Sequence, residues 1–139
     1  MSEIRVTATN GPGTYRTKLD FAIGGHVIIA DEPSEFGGTD AGPESHSLLA
    51  SSLAACIAMT LRMYADRKQW PLEESRIAVT LNKEGANDAR HTRFHVELEL
   101  KGPLDEEQRQ RLTEIAGRCP VHRILTHPIE ITMSGFPLS

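Results

Sequence analysis

At 139 residues the chain is long enough for one sizeable hydrophobic core and too short for two independent ones, so a single domain spanning 1–139 is expected. Its 15 Lys and Arg against 19 Asp and Glu give a net charge of −4 with both signs scattered, which leaves no basic stripe for nucleic acid and no acidic tail. The start, MSEIRVTATNGPGTYRTKLDF, lacks the basic opening and continuous apolar stretch of a secretory signal, and the apolar-rich stretch 45–61, diluted by serines, falls short of a bilayer span of about 20 strongly apolar residues; a cytoplasmic protein is expected.

Strands are expected at Ile4–Ala8, Tyr15–Ile23 and His26–Ala30, separated by the turn-formers Gly11, Pro12, Gly13 and Gly24-Gly25. The next stretch, DEPSEFGGTDAGPE (31–44), is dense in Gly, Pro and Asp and reads as a loop. From about Ser45 to Asp66, Leu49, Leu53, Cys56, Met59 or Thr60, and Met63 recur at three- and four-residue steps, which predicts a helix with Cys56 in the middle of its apolar stripe. The opposite face carries Ala54, Ala58 and Leu61, so the helix is apolar nearly all round and should be covered on every side. Two more strands are expected at Arg76–Asn82 and Thr92–Lys101, the second alternating Phe94, Val96, Leu98, Leu100 against His95, Glu97, Glu99, Lys101, the signature of a sheet with one wet face. Asp105 with Gln108 three residues on forms a capping-box-like start for a second helix, on which Leu112, Ile115 or Ala116, and Cys119 share a stripe. Pro120 interrupts that helix, a short helical turn through Val121–Leu125 follows, and a last strand is expected at Ile129–Met133.

The chemistry-bearing residues are the two cysteines, Cys56 and Cys119. A permanent disulfide is uncommon in a reducing cytosol, so the thiols are either inert core residues or reactive ones. If they meet, they have the minimum parts of thiol redox catalysis: one thiolate attacks, and the other resolves the sulfenic acid as a disulfide. Only a thiolate is a nucleophile, so a buried attacking sulfur needs a cation beside it, and arginine suits best because it is always charged. Cys119 precedes a proline suited to the first position of a new helix, whose exposed N–H groups would favour a thiolate there. Periodicity and spacing leave open which cysteine attacks. Cys119 and His122, spaced C-x-x-H, lack the second half of a zinc site, and GGTDAGP lacks the lysine of a phosphate loop. His122 and Arg123 are expected to cap or line the turn after Pro120, Met59 and Met63 to fill core, and His26, His91, His95 and His127 to lie at the surface or at strand edges.

The stretch GGTDAGPESHSLLASSLAACIAMTLRMYADRKQWPL (37–72), followed by RCPVHRIL (118–125), resembles the OsmC/Ohr superfamily, and the preceding HVIIADEP (26–33) is similar to its OsmC-like, YhfA-like branch. The resemblance extends over nearly the whole chain and rests on an A-A-C helix motif and a C-P-V motif in the right order and separation. It implies an α+β, OsmC-like fold in which antiparallel sheets wrap two central helices of an intertwined homodimer. It also implies a thiol peroxidase acting on organic hydroperoxides, with Cys56 attacking and Cys119 resolving, no bound cofactor, and an external dithiol as reductant. An arginine on an early strand and a glutamate nine or ten residues before the attacking cysteine complete the family site. Arg16 fits the arginine, whereas Ser47 and His46 occupy the glutamate positions and Glu44 lies two places further out. The altered clamp gives a rival reading, a non-catalytic module binding a small apolar or thiol-bearing ligand, and a third reading makes both cysteines inert packing.

Overall fold

Alternating side chains and glycine turns fold the N-terminal third into an antiparallel meander of β1 (Val6–Thr9), β2 (Thr17–Phe21) and β3 (Val27–Ala30), ordered β1-β2-β3. Val6 lies opposite Phe21, and Thr17 opposite Ala30. Gly24 and Gly25 both take left-handed backbone (φ 78° and 66°), which side-chain-bearing residues rarely adopt, and the Phe21 amide closes that turn on the His26 carbonyl at 2.9 Å. The computed structural model describes residues 4–82 and 92–135; His91 lies outside them. Two units are distinguished, Met1–Ser51 and Ser52–Ser139.

The loop after β3 holds a single 3-10 turn, Ser34–Phe36, and leads into α1 (Ser45–Lys68). Arg67 and Lys68 in the last turn oppose the negative end of the helix dipole, and Gln69 in left-handed backbone (φ 58°) ends it. By length and composition α1 is long and apolar enough to cross a bilayer, contrary to the expectation from its serines. What α1 does within the second unit is line a protein core: Leu53, Ile57, Leu61 and Ala65 are buried with Leu72, Leu104, Leu112, Ile115, Ala116 and Cys119. Each buried Leu or Ile contributes about 1.5–3 kcal/mol. The buried stripe shares Leu53 with the expected one and then runs at four-residue steps through Ile57, Leu61 and Ala65, so Met59 and Met63 are exposed, at 61% and 62%, instead of filling core. Within the second unit only one face of α1 is buried among the described residues.

In the second unit β4 (Glu74–Leu81) pairs antiparallel with β5 (Phe94–Lys101), Leu81 opposite Phe94 and Glu74 opposite Lys101. As the alternation predicts, Phe94, Val96, Leu98 and Leu100 pack on the core while Lys101 pairs with Glu74 on the wet face at 3.0 Å. The expected capping box starts α2 (Glu106–Ala116): the Gln108 amide donates to Asp105 at 2.8 Å and the Asp105 amide to the Gln108 side chain at 3.0 Å. Arg109 donates to the carbonyls of Leu100 (2.6 Å) and Gly102 (2.9 Å), and Arg111 to the Tyr64 hydroxyl (3.1 Å), which ties α2 to β5 and to α1. Gly117 then closes α2 two residues short of Cys119. Cys119 is therefore not on the α2 stripe; it is the N-cap of a separate helix, α3 (Pro120–Leu125).

Among the described residues the expected last strand does not form: Ile129–Met133 pair with no described strand, and Ile129, Ile131 and Met133 are 59%, 78% and 93% exposed. Strand hydrogen bonds require a neighbouring edge, and alternation in the sequence cannot supply one.

Candidate dithiol site

The C-P-V-H sequence decides how the start of α3 is built. Pro120 at the first helical position has no N–H to satisfy, and Cys119 before it adopts the extended backbone of an N-cap. Two amides remain to be satisfied. His122 N–H donates to the Cys119 sulfur at 3.3 Å, the usual N-cap bond with sulfur in place of oxygen. Val121 N–H donates to the Cys56 sulfur at 3.5 Å, although 65 positions separate the two residues. Consecutive amides thus hold the two sulfurs side by side, and the first helical bond of α3, Arg123 N–H to the Cys119 carbonyl at 3.1 Å, follows at once.

The two thiols are not equivalent. Cys119 is fully buried against Leu112 and Ile115 in the core cluster, whereas Cys56, one position before the buried Ile57, is only half-buried. Burial pushes the Cys119 thiol above its ordinary value; the His122 amide works against that, while the neighbouring Cys56 sulfur adds to it through hydrogen bonding and charge. Both sulfurs are free thiols. Among the described residues no three His, Cys, Asp or Glu side chains gather as a metal site.

Arg16, the third expected site residue, belongs to the first unit. Its backbone amide donates to the Thr14 hydroxyl at 3.0 Å, and its Nε to the Thr39 hydroxyl at 2.9 Å. Glu44 sits just ahead of α1 and caps it: its carboxylate accepts from the amides of His46 (3.0 Å) and Ser47 (2.6 Å) and from the Ser47 hydroxyl (2.7 Å), and His46 Nδ1 lies 3.0 Å away. Burial acts to raise the Glu44 carboxyl, but these hydrogen bonds, led by the Ser47 hydroxyl, outweigh it and hold it at about 2. The side chains at 46 and 47, where the resemblance places a glutamate, thus serve the capping of α1. Neither this cap nor the burial of Asp31 was expected from the sequence. Glutamate is not among the favoured N-caps, so the first was weakly signalled; Asp31 carried no signal, because an acid in a Gly- and Pro-rich loop looks solvent-exposed until its burial is known.

Residues 38–134, well over half of the chain, match the family model described as OsmC-like protein. The chain belongs to the OsmC-like protein family. Solved structures share the fold of this OsmC-like protein. An OsmC-like protein from Mycoplasma pneumoniae has 20% identity and a TM-score of 0.73, covering 89% of this chain and 87% of its own. The organic hydroperoxide resistance protein OsmC of Legionella pneumophila has 20% identity and a TM-score of 0.65, covering 91% and 90%. The organic hydroperoxide resistance protein OhrB of Bacillus subtilis has 23% identity and a TM-score of 0.60, covering 90% and 91%. No curated protein sequence matches the chain. The α+β architecture, with antiparallel sheets and three α-helices among the described residues, is consistent with that of the family.

Proposed function

We propose that this OsmC-like protein is a thiol-dependent peroxidase that reduces organic hydroperoxides, and that it serves stress detoxification in the cytoplasm. The observation that carries the reading is the seating of the Cys56 and Cys119 sulfurs on the consecutive amides of Val121 and His122. Exposure orders their roles. Cys56 is the sulfur a peroxide reaches, so it attacks; Cys119 is fully buried, and burial raises its thiol above the ordinary value, so it resolves.

In the first step the Cys56 thiolate attacks the distal peroxide oxygen, the O–O bond breaks, sulfur is oxidised to the sulfenic acid, and the alkoxide leaves as alcohol after taking a proton. Arg16 is the group we assign to the departing alkoxide. In the second step the Cys119 sulfur displaces hydroxide from the sulfenic acid, forming the Cys56–Cys119 disulfide and water. An external dithiol then exchanges with that disulfide and restores both thiols. No bound cofactor enters the cycle. The apolar neighbours of Cys119 suit alkyl hydroperoxides better than hydrogen peroxide.

The working form is a homodimer in this proposal. Exposed Met59 and Met63 on α1, and Ile129, Ile131 and Met133, which pair with no described strand, offer apolar side chains that a second copy of the chain would cover, with a strand partner for the last segment.

A second reading, a binding module for a small apolar or thiol-bearing ligand, is favoured by the occupation of the Glu44 carboxylate in capping α1, which leaves serine and histidine at 47 and 46. Hydroperoxide consumption by the wild type and by Cys56→Ser, with a dithiol as reductant, separates the two. The peroxidase reading expects turnover in the wild type that the substitution abolishes; equal background rates in both proteins support the binding module.

A further inference from the structure

Asp31 is the one charged side chain that is buried among the described residues, at 4% exposure, and its surroundings explain how it tolerates burial. It follows β3 directly. One carboxylate oxygen accepts from the Glu32 amide at 2.8 Å; the other accepts from the Thr39 amide (3.1 Å), the Ala41 amide (3.1 Å) and the Thr39 hydroxyl (2.7 Å). The hydrogen bond from the Thr39 hydroxyl and that from the Ala41 amide lower the carboxyl to about 2 against the effect of burial, so Asp31 is an anion at every physiological pH. The loop is drawn tightly over β3: a Cβ on Gly42 would collide with the Ile29 carbonyl.

The Thr39 hydroxyl has one proton and stands between a carboxylate, which can only accept, and the Arg16 guanidinium, which can only donate. Its proton must go to Asp31 and its lone pair must face Arg16 Nε. The polarity of the chain Arg16 to Thr39 to Asp31 is therefore fixed, with no alternative hydrogen-bond pattern open to it. With Nε held, the two terminal nitrogens of Arg16 make no hydrogen bond to any described residue, and Arg16 borders a cleft of about 530 Å³ lined also by Lys18, Ile29 and Ala41. A guanidinium anchored at Nε with both terminal amines open is a two-pronged donor for an incoming oxygen anion.

We propose that Asp31 and Thr39 are positioning residues for Arg16, and that the relay of the Thr39 hydroxyl aims the terminal amines of Arg16 at the oxygen of the ligand. The inference rests on the reading of Arg16 as the group that receives the departing alkoxide. It adds two residues that act in different ways. Asp31 fixes the loop and the direction of the Thr39 proton, and Thr39 fixes the rotation of the guanidinium about its own axis.

Thr39→Val keeps the shape of the side chain and removes the hydroxyl, Thr39→Ser restores the hydroxyl, and Arg16→Ala provides the reference loss. Two readouts are taken: the Nε–H resonance of Arg16 in nitrogen-15 spectra of the reduced protein, and kcat and KM for cumene hydroperoxide. In Thr39→Val the Nε–H resonance should lose its protection from solvent exchange and kcat/KM should fall about tenfold, the scale of one hydrogen bond to a charged group. Thr39→Ser should restore both, and Thr39→Val added to Arg16→Ala should cost nothing further, as residues acting through one another do. A Thr39→Val protein with wild-type exchange at Nε, or a Thr39→Ser protein that rescues neither readout, overturns the positioning role. If the wild type consumes no hydroperoxide, the peroxidase reading fails, and the resonance still decides whether Thr39 holds Arg16.

Discussion

Replacing Cys119 by Ser and by Ala separates its role in the fold from its role in chemistry. Its sulfur accepts the His122 amide at 3.3 Å as the N-cap of α3, and the side chain is fully buried beside Leu112. Ala removes the cap, which costs about 1 kcal/mol, leaves the His122 N–H without its partner, and opens a small void in the core. Ser keeps a capping oxygen, a better acceptor than sulfur, and the added cost of burying its hydroxyl is offset by that same amide. The Ala variant should therefore be less stable than the Ser variant by about 1–2 kcal/mol, read as a difference of about 3–8 °C in the thermal midpoint of the reduced proteins. Chemistry should not follow stability. Both variants should stop after one oxidation, with the Cys56 sulfenic acid trapped by a dione reagent and no disulfide formed. An Ala variant as stable as the Ser variant would refute the capping argument, and a disulfide-free variant that still turns over with dithiol at the wild-type rate would refute the resolving role.

Acid should loosen the first unit between the ordinary carboxylate values, 3.8 for Asp31 and 4.5 for Glu44, and about 2, because both groups are lowered in the folded chain and the stability they contribute is present above the ordinary value and lost as pH falls; hydrogen exchange in β1–β3 against pH checks the window, and Asp31→Asn should remove part of the dependence. At the alkaline end the sign reverses: the Cys119 thiol is raised by burial, so the reduced protein should lose stability as pH rises past the ordinary thiol value, and Cys119→Ser should flatten that loss. Gly42→Ala should destabilise by about 1–3 kcal/mol through overpacking against the Ile29 carbonyl, while Gly11→Ala, whose Cβ meets nothing, should be near neutral in the same denaturation assay. Ile131→Asp with Met133→Asp should turn a dimer into a monomer by sedimentation, since these side chains are 78% and 93% exposed; an unchanged mass would contradict the proposed second-copy contact.

The elements whose signals are local were legible in the sequence. The Asp105–Gln108 box, the period-two run of Phe94–Leu100 and the proline after Cys119 each dictate their structure within a few residues, and each element is where the spacing puts it. The readings that failed depend on partners that periodicity does not name. The buried stripe of α1 is set by which residues α2 and β5 press against, so Ile57 is inside and Met59 outside although both fit a helical repeat. The segment Ile129–Met133 has a strand pattern and pairs with no edge among the described residues. Cys119 fell on the wrong element because the stripe of α2 runs on numerically past Gly117, where the helix itself ends. In the site, C-P-V-H announced a capped helix start, but that the Val121 amide reaches Cys56 is a tertiary fact, as is the burial of Asp31 inside a loop whose composition reads as solvated.

Whether Cys56 and Cys119 act as one redox pair is decided by counting thiols. Reduced protein is treated with one equivalent of cumene hydroperoxide, quenched with an alkylating reagent and mapped by mass spectrometry. A redox pair loses two thiols per chain, forms a single intramolecular Cys56–Cys119 disulfide, and releases one equivalent of alcohol. Two alkylated thiols with the hydroperoxide intact would contradict the pairing.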